Sequence, residues 1–220
     1  MTDCPKTFMA GKRIGRLLPA LWLAASAIIL SSCSMLRSDD SSPTDATGDG
    51  SLRVLVVGDS VTVMSSKELR AELEWADRTD IRAQSGLRTD QLLAGARAGA
   101  EAEPDIGIFM PGYNDILQDR VDTPALGEMM TVAAGLPCAV WMLLPTDGGY
   151  ASDLVETWND RVRDAAANHD NVSTSNDWKR LVEASPDFTF VSETDAVHPN
   201  ERGQKAIAAA MAQEARKQCS

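Results

Sequence analysis

A chain with only two histidines leaves little choice of general base, and its candidate chemistry can be read outward from them. His169 stands in Ala-Asn-His-Asp-Asn, at the end of a patterned helix. An exposed imidazole suits the last turn of a helix, so no chemistry is needed to account for it. His198 stands in Asp-Ala-Val-His-Pro, with Asp195 three residues ahead of it. At that spacing both side chains can enter one cleft from a single turn. An imidazole oriented by a carboxylate can take the proton from a hydroxyl. One hydroxyl that directly follows an apolar, strand-like run is Ser60, in Val-Val-Gly-Asp-Ser. A serine is a weak nucleophile until a base takes its proton. Ser60, His198 and Asp195 are residue types that acyl transfer through a covalent intermediate would use, if the fold brings them together.

Such parts need a scaffold, and the hydrophobic patterning describes one. Leu52 to Val57 is apolar and β-branched, as a buried parallel strand is. A helix is expected over Ser65 to Ala76, with Leu69 and Leu73 on one face. Asp80 to Ala83 is a short second strand, and Thr89 can cap a helix that turns Leu92, Leu93 and Ala96 inward. Asp105 to Met110 is a third strand. Thr123-Pro124 opens a helix that Gly135 closes. Ala139 to Leu144 is a fourth strand, followed by a long helix from Ser152 that aligns Leu154, Val155, Trp158 and Val162. Asn171 to Ser175 is a fifth strand, and Glu201 to Lys217 a closing helix. Strands alternating with helices predict a three-layer α/β fold with a five-stranded parallel sheet.

In such folds the chemistry lies beyond the carboxyl ends of the strands. Gly58-Asp59-Ser60, Ser85-Gly86, Gly112-Tyr113-Asn114-Asp115 and Asp195-Ala196-Val197-His198 all follow strands, and occur in that order. The set resembles the SGNH family of GDSL-type hydrolases, from the first strand to the final helix. Family members are esterases, lipases, thioesterases and carbohydrate deacetylases, and the resemblance implies their three-layer α/β/α flavodoxin-like fold. The four block residues of the family match Ser60, Gly86, Asn114 and His198. The resemblance implies a catalytic set of Ser60, His198 and Asp195. It implies an oxyanion hole made by the backbone N–H groups of Ser60 and Gly86 and the side-chain amide of Asn114. A side chain at position 86 would obstruct the substrate. The family's usual Asp-Ser-Leu or Asp-Ser-Ile has Val61 here, and its frequent Asp-Gly-x-His has Ala196. Neither change touches a group that does chemistry. Asp59 and Asp115 are read as loop braces that make Asx-type hydrogen bonds. No cofactor is implied, and no metal-ligand spacing occurs.

The first 32 residues read as a lipoprotein signal peptide. Lys6, Lys12, Arg13 and Arg16 precede the apolar run Leu17 to Leu30, which ends in Leu30-Ser31-Ser32-Cys33. This resembles the bacterial lipobox, which implies lipidation of Cys33 and a place outside the cytoplasm, anchored to a membrane. Residues 33–50 are rich in Ser, Asp, Thr, Pro and Gly, as a flexible tether is. The hydrolase domain is expected over residues 51–220. The net charge of -11 argues against nucleic acid as a partner, and attachment to anionic lipid would have to rest on the acyl chains. A monomer is expected.

Two cysteines remain. Cys138 falls at the amino edge of the sheet, and the last helix runs back from His198 to bring Cys219 to the same edge. A disulfide between them is expected in an exported protein. Loops at Ile116 to Asp122 and Thr146 to Ala151 are expected to wall the cleft, and Gly148-Gly149 suggests mobility in the second. The expected activity is hydrolysis of acyl or acetyl esters, with envelope glycans or lipids as the reachable substrates. An O-acyltransferase would use the same residues, and a catalytically dead binding module is the reading from a different class.

Overall fold

The computed structural model describes residues 51–146 and 151–219. The signal peptide, Cys33, the tether and the Gly148-Gly149 segment read from the sequence lie outside these residues.

The five strands are β1 (Arg53–Gly58), β2 (Arg78–Ala83), β3 (Ile106–Met110), β4 (Cys138–Met142) and β5 (Val172–Ser175). All pair in parallel, in the order β2-β1-β3-β4-β5. The three central strands read Arg-Val-Leu-Val-Val-Gly, Ile-Gly-Ile-Phe-Met and Cys-Ala-Val-Trp-Met, and almost every residue in them is buried. The edge strands β2 and β5 carry Arg, Asp, Thr and Ser and are half-exposed. Continuous apolar runs place strands at the centre, because both of their faces are covered by helices.

The helices are α1 (Ser60–Met64), α2 (Ser66–Glu72), α3 (Thr89–Ala100), α4 (Tyr113–Leu117), α5 (Ala125–Ala134), α6 (Ser152–Ala166), α7 (Asp177–Glu183) and α8 (Glu201–Gln218). Helices α2, α7 and α8 form one layer, and α3, α5 and α6 the other. The chain steps outward from β1 to β2, then back across to β3. Right-handed crossovers in opposite directions put their helices on opposite faces. The gap between the loops after β1 and β3 is the switch point where such sheets bind ligands.

Three short helices depart from the sequence expectation. The first helix begins at Ser60 itself, because Asp59 accepts the N–H of Val61 at 3.2 Å and caps it. Its residues Val61, Thr62 and Val63 are β-branched and weak helix formers, so patterning alone does not reveal it. Ser65, with φ -89° and ψ 0°, separates α1 from α2. Helices α4 and α7 span 5 and 7 residues, too short for periodicity to register. Ile116 and Leu117 therefore belong to α4, and the loop toward Asp122 starts after them.

The cysteines meet as the topology requires. Cys138 opens β4, Cys219 caps α8, and the two are bridged with 5.6 Å between their Cα atoms.

Candidate active site

The nucleophile candidate sits where a strand turns sharply into a helix. Ser60 follows Gly58-Asp59 and is the first residue of α1, with 9% of its surface exposed. First-turn N–H groups have no partner within their helix, so the Ser60 N–H is left available. Val61, where the family motif has Leu or Ile, is fully buried. That position asks for an apolar side chain of fitting volume, and Val supplies one.

His198 reaches Ser60 from the loop between α7 and α8. Its Nε2 lies 2.9 Å from Ser60 Oγ, and its Nδ1 lies 2.7 Å from Asp195 Oδ2. The other carboxylate oxygen of Asp195 accepts the backbone N–H groups of Val197 and His198, both at 3.0 Å. Partial burial pushes the Asp195 carboxyl up, but the His198 ring and the two N–H bonds outweigh it and hold the group below the usual range. Asp195 therefore stays ionised, and as an acceptor it keeps the proton of His198 on Nδ1. Nε2 is then the acceptor that faces the serine hydroxyl.

A residue that sequence reasoning missed shapes this loop. Asn200 donates its side-chain amide toward the carbonyls of Phe188, Thr189 and Val191, at 3.2 to 3.3 Å. Its Oδ1 accepts Gly203 N–H at 3.0 Å and caps α8. The loop closes through an antiparallel bridge from Val191 to Pro199 and a bond from Ser192 N–H to the His198 carbonyl at 2.8 Å. An Asn directly before a helical run was the available signal. Within the loop Ala196 has φ +55°, a left-handed conformation that glycine adopts more readily. This accounts physically for the Gly that the related motif often carries there.

The expected oxyanion donors come from two further loops. Gly86 has φ +78°, and a Cβ built there would meet no protein atom within 4 Å. Its backbone conformation is thus one that favours glycine, and the space in front of it is open. Among the described residues its N–H has no hydrogen-bond partner. Asn114 lies in the first turn of α4, 9% exposed, with Nδ2 donating to the Leu87 carbonyl at 3.0 Å. An amide nitrogen carries two hydrogens, so this bond orients the group and leaves one donor free. The turn before it depends on Gly112, whose φ is +139° and whose Cβ would fall 2.4 Å from Trp158 Nε1.

Asp59 makes the expected local bond to Val61, but it also accepts Tyr113 N–H at 3.2 Å across the gap between loops. Asp115 makes a long-range bond where a local one was expected. Its Oδ2 accepts Thr89 N–H at 2.9 Å and Thr89 Oγ1 at 2.8 Å. His169 lies between α6 and β5, at the sheet edge opposite Ser60.

The arrangement has the makings of a serine nucleophile, an oriented base and donors on three loops. No protein-family model matches the sequence, and no curated relative does either. Solved structures do match the fold. A GDSL-like lipase from Bacteroides thetaiotaomicron superposes with a TM-score of 0.61 at 18% identity, covering 75% of this chain and 88% of its own. A member of the lipolytic G-D-S-L family from Veillonella parvula gives a TM-score of 0.61 at 22% identity, covering 74% and 97%. An acetyl xylan esterase from Geobacillus stearothermophilus gives 0.58 at 15% identity, covering 74% and 94%. The chain therefore has the fold of the SGNH/GDSL hydrolases, a five-stranded parallel sheet between two helical layers. At these identities the likeness establishes fold, and activity has to be argued from the site.

Proposed function

We propose that the protein is a serine esterase of the SGNH/GDSL type, exported and lipid-anchored through Cys33. The observation that carries the enzymatic reading is the continuous chain Asp195–His198–Ser60, with hydrogen bonds of 2.7 and 2.9 Å. Ser60 Oγ attacks the carbonyl carbon of an acyl ester while His198 Nε2 takes its proton. Asp195 stabilises the imidazolium that forms. The oxyanion of the tetrahedral intermediate accepts hydrogen bonds from the N–H groups of Ser60 and Gly86 and from Asn114 Nδ2. Loss of one such donor costs about 3 to 4 kcal/mol of barrier. Collapse breaks the bond to the alcohol, which leaves with the proton from His198. Water then attacks the acyl-enzyme, again giving its proton to His198, and Ser60 is regenerated. These steps need neither metal nor cofactor.

The substrate class follows from place. An enzyme tethered outside the cytoplasmic membrane meets O-acyl groups on envelope glycans and lipids. The test is hydrolysis of p-nitrophenyl esters of increasing chain length and of acetylated glycans, with Ser60→Ala as the control. Loss of turnover in the variant is expected, and retained turnover refutes the assignment.

A further inference from the structure

Two buried acids are left over when Ser60, His198 and Asp195 have their parts. Asp59, which precedes Ser60, is 0% exposed, and Asp115, which follows Asn114, is 1% exposed. Neither is placed to reach a substrate, and both bond across loops.

Asp59 holds two of the three loops. One of its oxygens accepts Val61 N–H in the nucleophile turn, and the other accepts Tyr113 N–H in the turn that carries Asn114. The N–H of Gly112 also favours the charged form of the same carboxyl. Asp115 joins that second turn to the third loop. It takes both the N–H and the hydroxyl of Thr89, which opens α3 three residues beyond Gly86. Between the two, Asn114 Nδ2 donates to Leu87 O, one residue beyond Gly86. The three loops therefore reach a common geometry through two carboxyl groups and one amide. Burial pushes both carboxyls up, Asp59 to about 7, so holding them inside costs stability that an apolar pair would not.

We propose that Asp59 and Asp115 are positioning residues that clamp the loops of Ser60, Gly86 and Asn114 together and so set the spacing of the oxyanion donors. This rests on the reading of those three residues as nucleophile and donors. Stabilisation of an oxyanion depends on donors fixed in advance to within a few tenths of an ångström. Arg88 Nη1 also donates to Gln118 Oε1 between the second and third loops, but that bond is exposed, whereas the bonds of Asp59 and Asp115 are buried. The clamp thus acts on turnover, and substrate binding is left nearly unchanged.

Thr89 provides the mildest cut. Thr89→Val keeps the N–H bond and the volume but removes the hydroxyl from Asp115, and Thr89→Ser restores the hydroxyl. With p-nitrophenyl acetate, Thr89→Val and Asp59→Asn are each expected to lower kcat about 10- to 100-fold, with KM within about threefold. Thr89→Ser is expected to keep kcat near that of the parent. In an Asn114→Ala background, Thr89→Val should cost only about twofold more, because the donor it positions is already gone. Thermal melting of each variant confirms a cooperative fold. Full additivity with Asn114→Ala overturns the proposal, as does a loss carried by KM or a Thr89→Ser defect equal to that of Thr89→Val. Labelling of the parent at Ser60 by a fluorophosphonate keeps the two questions apart. An unlabelled parent sinks the enzymatic reading, whereas a labelled parent with additive losses sinks the clamp alone.

Discussion

Nε2 of His198 lies 2.9 Å from Oγ of Ser60, although 138 residues of chain separate them. The contact exists because β1 and α8 both end their loops at the carboxyl edge of the sheet. Ser60 is carried there by β1, the strand beside the switch point. His198 is carried there by a loop that Asn200 ties back on itself. Neither side chain is held by its own sequence neighbours alone, so the pair reports on the whole fold.

Asp195→Asn should fold normally and lose most of its turnover. The new amide can still accept the N–H groups of Val197 and His198 through its oxygen. Its NH2 group would then face His198 Nδ1 and select the tautomer with the proton on Nε2. That ring cannot accept a proton from Ser60. A fall in kcat of about 100-fold or more is expected, with little change in KM. Steady-state kinetics on a soluble chromogenic ester would check it, and a variant with full kcat would exclude the orienting role.

The Cys138–Cys219 bridge spans 81 positions of sequence and lies at the sheet edge opposite the site. The chain-entropy model assigns a loop of that length about 4 kcal/mol of stabilisation. For a domain of this size, that corresponds to a loss of roughly 8 to 16 °C in Tm when the bridge is removed. Cys138→Ser with Cys219→Ser should show this loss in a thermal melt, yet keep its activity at 25 °C. Equal melting temperatures with and without reductant would show that the bridge contributes nothing.

Asp59 gives a stability profile of defined sign. Burial raises its carboxyl from 3.8 to about 7 in the folded protein, against the pull of the N–H groups of Val61, Tyr113 and Gly112. Folding therefore takes up a proton between those values. The contribution is fully present below pH 3.8, declines as the pH rises, and is lost above about 7. The full span is on the order of 4 kcal/mol. Asp115, also raised by burial, acts in the same direction. Asp90 and Asp195 are lowered and act in the opposite sense, but only below the usual carboxylate range. Urea midpoints between pH 5 and 7.5 should fall more steeply for the parent than for Asp59→Asn. Parallel curves would remove Asp59 as the source.

The proposed anchor makes a prediction independent of catalysis. Cys33→Ala should release the protein from the membrane fraction on cell fractionation, with the proposed esterase activity unchanged. The remaining chain is acidic and is not drawn to anionic lipid. Unchanged membrane association would reject lipidation at Cys33.

Much of this was legible along the chain, for reasons that differ from residue to residue. The strands Arg53–Gly58, Ile106–Met110 and Cys138–Met142 are continuous apolar runs, and their patterning locates them to within a residue or two. The direction of a helix after a parallel sheet brings Cys138 and Cys219 to one edge, which makes their pairing an expectation, and the bridge is formed. Helices α1, α4 and α7 were hidden, since a turn or two of helix has no period to detect. Helix α1 is set instead by the cap at Asp59, and α4 by the left-handed Gly112 against Trp158. Asp115 was misjudged as a local brace because its partner, Thr89, lies 26 residues away.

What the sequence supplied by itself was a set of candidate residues: one serine just after a strand, one histidine with an acid three residues ahead, and, through the family resemblance, a glycine and an asparagine on further loops. Those follow from local rules, because residue type and strand-loop-helix order are properties of short stretches. Only the tertiary structure decided how the loops are joined. Parallel pairing brings β1 and β3 side by side, and buried carboxyl groups then bond whichever loop faces them. Such bonds depend on distances between segments remote in the chain, and no local pattern contains those distances.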